Sequence, residues 1–433
     1  MNPVVIGVAG IILLFVLMFL EMPIGLSFIF VGVTGYALAS NLSGALGMLR
    51  TVPFSTFTDY GFSVLPLFVL MGSIAFFGRL SGDLYSNAYR LLGNIRGSLG
   101  MATIFACGAF SAISGSSVAT CATMGKVCLP EMKRYGYADA LATGCVAAGA
   151  TMDILIPPSV IMIIYAIMAE VSIGKVYMAG YIPGAIQVVL FMGVVWIICR
   201  LNPNAGPPGP RTTYKEKMLA VAKSWNAIFL IILVMGGMYF GIFSVNEAAG
   251  VGAFATLVIC VAQRKLSWQG FKDALRDTLK TTAMVFLMIV GGLIFSYFLS
   301  VTTITKSFGE FVLGLGVSRY VIITAIVLIY LVLGAIMDEI GMILITVPVF
   351  LPVIMALGWD PVWFGIIVVM ICQCGAIDPP VAINCFILKG IAPDIPLTTI
   401  YKGIIPFSLC TIGLIALMIA FPNIAMVLPN TMR

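Results

Sequence analysis

Twelve apolar runs decide what this chain can fold into. They lie near residues 3–20, 23–40, 61–79, 100–129, 139–168, 176–199, 226–243, 245–263, 282–303, 320–357, 361–388 and 397–421. Most are close to the roughly 20 residues that carry an α-helix across a hydrocarbon core of about 30 Å. Soluble proteins average about one quarter charged residues, whereas here 9% are charged, 61% are hydrophobic and the mean hydropathy is +1.12. A soluble globular enzyme is excluded, and the expected class is an all-α polytopic membrane protein embedded in a lipid bilayer.

The chain has no histidine. Imidazole general bases, zinc–histidine sites, c-type haem attachment and Ser/His or Cys/His nucleophile pairs are excluded with it. The ten cysteines lie within or beside apolar runs and read as small buried hydrophobes. Cys372 and Cys374 form only a C-x-C inside one run, too little for a metal site. The net charge of +6 bears on where basic residues sit, not on nucleic acid. No catalytic residues, no enzymatic activity and no cofactor are expected. The first apolar run lacks a basic n-region and leads straight into a second, so no cleavable signal peptide is expected.

Runs 139–168 and 361–388 exceed one straight span, and each contains a proline pair, Pro157-Pro158 and Pro379-Pro380. Such pairs mark broken helices, or in the plainer reading structural kinks. Runs 100–129 and 320–357 carry Ser114-Gly115-Ser116-Ser117 and Asp338-Glu339 at their centres. Each is compatible with one long tilted helix, but a polar centre sits better at the tip of a re-entrant hairpin, where non-helical backbone is buried in protein or lines a water-filled cavity.

An internal repeat supports the hairpins. At an offset of 222 residues, Leu129-Pro130 falls on Leu351-Pro352, Gly136 on Gly358, and Pro157-Pro158 on Pro379-Pro380. With a one-residue gap, Gly180 and Pro183 continue to Gly403 and Pro406. The Ser116-Ser117 cluster then lands on Asp338-Glu339. Each repeat holds five spans plus one hairpin, and five is odd, so the two are inverted repeats. Such pairs with discontinuous helices place their binding site near the membrane midplane.

Sidedness follows from the basic residues. With the N-terminus on side A, seventeen fall on side B, within 79–134, 200–223 (Arg211 included) and 264–280 and at Lys389. Side A receives five, Arg50, Lys175, Lys306, Arg319 and Arg433, with Lys402 inside a span. Side B is therefore expected to be cytoplasmic and both termini periplasmic. The first hairpin then opens from the cytoplasm and the second from outside. Leu84, Ala88, Leu91, Leu92 and Ile95, and likewise Ile304, Phe308, Phe311, Val312 and Leu315, repeat at helical spacing among polar residues. They read as horizontal arms, either ordinary interfacial helices or braces for a moving domain. Residues 202–223, rich in Pro, Gly and basic residues, read as a linker between the repeats.

Asp153, Asp338, Glu339 and Asp378 lie within apolar runs. A carboxylate there costs about 3 kcal/mol on insertion scales, so each is protonated, or faces a cation or a water-filled cavity. A hard cation such as sodium wants several oxygen ligands, which a broken helix facing a hairpin tip offers as freed carbonyls and polar side chains. One candidate sodium-binding set is Gly115, Ser116, Asp153 and Pro157, with Ser117 beside it. The other is Gly334, Met337, Asp338, Gly375 and Asp378. Close packing through small residues is the alternative for Ser114 to Ser117. Glu21 and Glu247 fall at run ends, where side chains reach the interface. The half-helices beginning at Pro158-Ser159 and Pro380 present unpaired N–H groups, so an anionic substrate could be held without arginine. Ser117, Ser159 and Asn384 are the substrate-binding candidates.

From Ser114 through GSSVATCATMGKVCLPEMKRYGYADALATG to AAGATMDILIPPSVIMIIYAIMAEVSIGKVYMAGYIPG the sequence resembles the large permease subunit of TRAP transporters, the DctM family. The resemblance extends to EMPIGLSF, SVLPLFVLMGSIAFFGRLSG and GAIDPPVAINCFILKGIAP, and so covers nearly the whole chain. It implies a sodium-driven, elevator-type secondary transporter in the bacterial inner membrane. A periplasmic DctP-like protein would deliver an organic acid anion such as a dicarboxylate, sialic acid or a sulfonate. A small DctQ-like membrane subunit would brace the scaffold, as a separate partner because this chain begins directly with the large subunit. Asp153 and Asp378 stand where the family pattern leads one to expect small or uncharged residues, and they strengthen a cation site or bind a proton.

The expected organisation is scaffold with the first arm at 1–97, transport-domain half 1 at 98–200, a cytoplasmic linker at 201–225, scaffold with the second arm at 226–317, transport-domain half 2 at 318–421 and a tail at 422–433. Proton coupling is the alternative mechanism. A channel would need a polar stripe that no span carries, and an aspartyl protease would need a G-x-G-D element that is absent around these aspartates.

Overall fold

The computed structural model describes residues 2–209 and 212–432; Arg211 and Arg433, counted above in the charge asymmetry, lie outside them. Helices α1 (Pro3–Phe19), α2 (Ile24–Ala39), α3 (Leu42–Thr58), α4 (Val64–Phe77) and α5 (Leu80–Leu92) open the chain. Next come α6 (Ser98–Ser114), α7 (Ser117–Arg134), α8 (Asp139–Leu155), α9 (Val160–Met168) and α10 (Ile173–Leu201). After α11 (Tyr214–Lys223), a π-helical turn at Ile232–Gly236 joins α12 (Trp225–Ile231) to α13 (Gly237–Tyr239). The chain continues through α14 (Val245–Ala262), α15 (Trp268–Val301), α16 (Ile304–Gly314), α17 (Arg319–Ile336), α18 (Glu339–Ala356), α19 (Pro361–Ile377), α20 (Ile383–Ile391), α21 (Leu397–Ala420) and α22 (Asn423–Thr431). Among the described residues no strand forms, and one isolated bridge pairs Arg96 with Pro208.

Eight of these segments are long and apolar enough to cross a membrane, or nine if the bent pair Tyr214–Lys223 and Trp225–Tyr239 forms one span. They include Tyr60–Phe77, Asp139–Met168, Ile173–Leu201, Val245–Ala262, Trp268–Val301 and Leu397–Ala420, six of the ten expected spans. Three others, Pro3–Phe19, Ile24–Ala39 and Pro361–Ile377, are apolar but shorter. The remaining two qualifying segments are α17 and α18.

The interruptions fall where the polar clusters and proline pairs stand. Helix α6 ends at Ser114, Gly115 turns the chain with φ +65°, and α7 starts at Ser117 and packs back on α6. Helix α17 ends at Ile336, Asp338 caps α18, and those two helices also pack together. Proline pairs separate α8 from α9 and α19 from α20. The two segments read as arms form the amphipathic helices α5 and α16, which end before Ile95 and Leu315.

Two segments depart from the hydropathy reading. Residues 42–58, left unassigned there, form α3, capped by the Asn41 side chain accepting from Gly44 N–H. It buries only Ala45, Val52 and Thr56 and leans on α2 and α15, so it shows no continuous apolar run. Helix α15 starts 14 residues before the run at 282–303, because Ser267 caps a charged stretch that continues into the apolar one. The segment read as a linker carries structure of its own. Gly97 N–H donates to Gly206 O at 3.2 Å, Tyr137 Oη to Pro207 O at 3.0 Å and Gly209 N–H to Ser98 Oγ at 3.1 Å. Within it too, a reciprocal Thr213–Glu216 capping box starts α11.

The core is built around α8 and α19, buried on all sides. Every residue of α8 from Leu141 to Leu155 is buried, and so is α19 from Val362 to Ile377 except Gly375. Helix α8 packs against α6, α7, α19 and α21, and α19 against α10, α17 and α21. A second group forms where α2, α3 and α4 pack on α15, with α14 on α4. Helices α8 and α21 approach backbone to backbone at Gly144 and Gly403, where a Cβ on Gly403 would overlap the Ala140 carbonyl. Nearby, Gln187 Nε2 donates to Gln373 Oε1 at 3.0 Å and to Thr411 Oγ1 at 3.2 Å, while Gln373 Nε2 donates to Thr151 O at 3.0 Å.

Gly403→Val is expected to destabilise the fold by at least about 1–3 kcal/mol through overpacking, whereas Gly413→Val, whose Cβ would meet open space in the same helix, leaves it unchanged. Thermal unfolding of the detergent-solubilised proteins checks both. Gln373→Ala, which strips the buried Gln187 amide of one partner, is expected to cost about 1–3 kcal/mol in the same assay.

Candidate functional site

The first hairpin tip is held by three contacts. Gly115 lies so close to the break that a Cβ would sit 2.9 Å from Pro158 O. A Cβ on Gly72 of α4 would overlap the Ser114 carbonyl, so the tip also touches the other helix group. Ser116 caps α7 by accepting from Ala119 N–H at 3.4 Å. Behind the tip, Asp153 is 1% exposed. Ser111, Thr120 and the Gly115 N–H are the polar groups around its carboxylate, yet neither oxygen has a hydrogen-bond partner. An unpaired buried carboxylate is costly, and a proton or cation removes most of that cost.

The second tip repeats the design with different chemistry. The Asp338 carboxylate accepts from Ile340 N–H at 3.1 Å and Gly341 N–H at 3.4 Å. Helix α17 meets α19 at Gly334 and Gly375, where a Cβ on Gly375 would lie 2.5 Å from Gly334 O. Val381 N–H, freed by the proline pair, donates to Ala335 O at 3.3 Å. Gly334, Met337, Asp338 and Gly375 thus surround one narrow crevice together with Glu339 and Cys372.

Asp378 does not join that crevice. Its carboxylate accepts from Ser408 Oγ on α21. Ser159 is also occupied: its hydroxyl donates to Ile154 O at 2.8 Å, satisfying a carbonyl that the break exposes. Pro158, not Pro157, reaches the cavity described next. Asn384 is fully buried, with its amide NH₂ directed to Ala147 O at 3.5 Å and its Oδ1 unpartnered.

A cavity of about 470 Å³ joins the two tips. Ser114 to Ser117, Asp153 and Pro158 line it from the first half, Asp338, Glu339 and Ile383 from the second, and Phe68, Gly72, Ser73, Phe76, Phe77, Asp277 and Thr281 from α4 and α15. Ser73 Oγ donates to Asp277 Oδ2 at 2.8 Å across those two helices. The sequence reading missed Asp277, since its neighbours are charged and hydropathy places them outside the apolar core. The signal was the helical spacing, which puts Asp277, Thr281, Met284 and Val285 on one face. Among the described residues no three His, Cys, Asp or Glu side chains converge closely enough to hold a metal ion. A cation here would need carbonyl and hydroxyl oxygens beside single carboxylates. The cysteines are free and, apart from the half-buried Cys410, fully buried.

Comparison with known proteins agrees with this architecture. The C4-dicarboxylate TRAP transporter large permease protein DctM of Pseudomonas aeruginosa is 32% identical over 400 residues, spanning 90% of this chain and 93% of that one. The sialic acid TRAP transporter large permease protein SiaM of Vibrio cholerae is 28% identical over 96% of both chains. The crystal structure of the Alcanivorax borkumensis YdaH transporter superposes with a TM-score of 0.61 at 17% identity, covering 88% of this chain and 89% of that one, a likeness of fold. Residues 11–424 match the family described as tripartite ATP-independent periplasmic transporter, DctM component. The chain is therefore a multi-pass inner-membrane permease and belongs to the DctM family of TRAP transporter large subunits.

Proposed function

We propose that this chain imports an organic acid by sodium symport, receiving it from a periplasmic DctP-like binding protein and working with a small DctQ-like membrane subunit. One observation carries the reading: both tips and both interrupted helices converge on one cavity, where the buried Asp153 carboxylate, with Ser111, Thr120 and the Gly115 N–H around it, makes no hydrogen bond of good geometry and has no cationic side chain beside it in the lining. Such a group invites a mobile cation. The Asp338 tip, with the freed carbonyls around Gly334 and Gly375, supplies the second cation site. Ser117 lines the cavity on the substrate side, whereas Asn384 is buried outside its lining. The names of the relatives, which carry C4-dicarboxylate and sialic acid, support an acid as cargo.

The motion we propose is an elevator, in which 98–200 and 318–421 slide as one body past 1–97 and 226–317. Inverted repeats with ten spans, and both termini in the periplasm, complete the proposal. Supporting the repeat, Thr151 and Gln373 are separated by the same 222 residues as the proline pairs and touch each other. The pair α8 with α21 likewise corresponds to α19 with α10. Proton coupling is the second reading, favoured by the same unpartnered Asp153.

Uptake into proteoliposomes holding both membrane subunits, supplied with loaded binding protein under separately imposed gradients, tests this. Sodium alone is expected to drive accumulation, and protons alone would favour the second reading. Downhill flux without gradient or binding protein would indicate a channel. Asp153→Asn is expected to lower sodium-driven uptake at least tenfold, and Ser116→Ala to raise the sodium concentration for half-maximal uptake several-fold, both read as initial rates.

A further inference from the structure

We infer that this chain holds an anionic phospholipid with a hydroxyl-bearing headgroup, of the phosphatidylglycerol kind, in a cleft where α11 bends into α12. The site is separate from the cavity between the tips and independent of the cargo and the coupling ion.

The cleft has a volume of about 450 Å³ and lies between α5, the α11–α12 elbow and the residues that follow α14. Arg90, Lys223 and Lys265 line it, and among the described residues no Asp or Glu does. Lys265 has an interaction of its own, so the charge on offer is that of Arg90 and Lys223, which form no ion pair among the described residues. Glu216 lies within electrostatic reach of Arg90, but its Oε2 already accepts from the Thr213 N–H at 2.7 Å and the Thr213 hydroxyl at 3.0 Å. Two cations converging without a carboxylate between them suit a phosphodiester.

A buried polar group points the same way. Asn226 lines the cleft at 8% exposure, and its Oδ1 has no hydrogen-bond partner. Its neighbour Asn87 is satisfied, donating from Nδ2 to Ser224 Oγ at 3.1 Å. An amide left unpaired at that depth is costly. Because it both donates and accepts, it matches a headgroup that carries a phosphate oxygen and a hydroxyl together. The surroundings supply the lipid character. Helices α11 and α12 meet at a 49° bend, and α12 begins with Trp225, whose ring packs 6.2 Å from that of Phe229, an aromatic pair of the kind that sits at headgroup level. From the cleft, Trp225, Ile228, Phe229 and Ile232 run exposed along one face of the helix. That strip gives acyl chains a path, which a soluble phosphate ester would not use.

The test is thermal unfolding of the delipidated full-length permease in detergent, titrated with four probes. These are phosphatidylglycerol, phosphatidylmethanol with the same charge and no hydroxyl, phosphatidylethanolamine with no net charge, and soluble glycerophosphoglycerol. Phosphatidylglycerol is expected to half-saturate at a mole fraction at least tenfold below phosphatidylethanolamine and several-fold below phosphatidylmethanol, and the soluble headgroup to give no shift. Arg90→Gln with Lys223→Gln, both at exposed positions, is expected to erase the first preference, and Asn226→Ala the second. Lys126→Gln with Lys280→Gln removes equal charge from exposed positions outside the cleft and is expected to erase neither. Should Asn226→Ala fail to fold, the Arg90 and Lys223 pair still decides. Equal responses to phosphatidylglycerol and phosphatidylethanolamine, or an equal loss in both charge-removing pairs, would overturn the site. Stabilisation by glycerophosphoglycerol matching that of the lipid would overturn the lipid as occupant in favour of a soluble phosphate ester, and phosphatidylmethanol binding as well as phosphatidylglycerol would overturn the role of the hydroxyl.

Discussion

Interrupting a helix inside lipid strands N–H and C=O groups that no solvent reaches, each costing several kcal/mol. This chain makes four such interruptions, and its architecture follows from where they are placed. They are turned toward one another. The first tip closes against Pro158, Ser159 returns its hydroxyl to Ile154 O, Val381 N–H finds Ala335 O, and Asp338 caps the helix that follows it. Backbone approaches this close leave no room for a side chain, which is why glycine stands at 115 and 375.

Burying the interruptions at the centre dictates the rest of the packing. The helices that carry the two proline breaks, α8 and α19, are surrounded by protein and therefore largely apolar or small on every face. Their remaining polar groups must be satisfied internally. The Gln187 and Gln373 amides pair reciprocally and draw in Thr411 and the Thr151 carbonyl. Such a network fixes one register between α8, α10, α19 and α21, because any slip would orphan several buried groups together. The surrounding α4 and α15 offer the cavity only one face each, and there the chain places Ser73, Asp277 and Thr281.

The features legible in the sequence were those in which one residue type forces one outcome. Proline pairs and polar clusters inside apolar runs pointed to helix interruptions, and all four interruptions fall at those residues, although α17 and α18 are each long and apolar enough to cross a membrane. The amphipathic helices α5 and α16 were legible from helical spacing. What escaped was anything set by a partner distant in sequence. Asp378 was grouped with Asp338 by proximity to the second break, but Ser408 on α21 takes its carboxylate. Ser159 was given to the cavity for its hydroxyl, yet the nearest exposed carbonyl claims it. Asp277 hid among charges, and α3 hid because its apolar face is only three buried residues wide. Hydropathy averages over all faces of a helix, so it cannot report a single lining face.

Among the described residues no Lys or Arg lines the cavity, and this bears on how transport would be coupled. A lining arginine would hold an anion whether or not ions were bound, and the loaded site could cross the membrane without them. With carboxylates and dipoles alone, the empty cavity carries negative charge that low-dielectric surroundings penalise heavily. On the proposed reading, binding of cations would remove that penalty and prepare the pocket for its cargo, so that motion of the site and occupancy by cations would become energetically inseparable. On the proposed elevator reading, the same unpartnered Asp153 that makes the empty cavity unfavourable would prevent it from sliding unloaded. Tight coupling would then arise from a buried charge left without a protein partner, and no separate gate would be needed to enforce it.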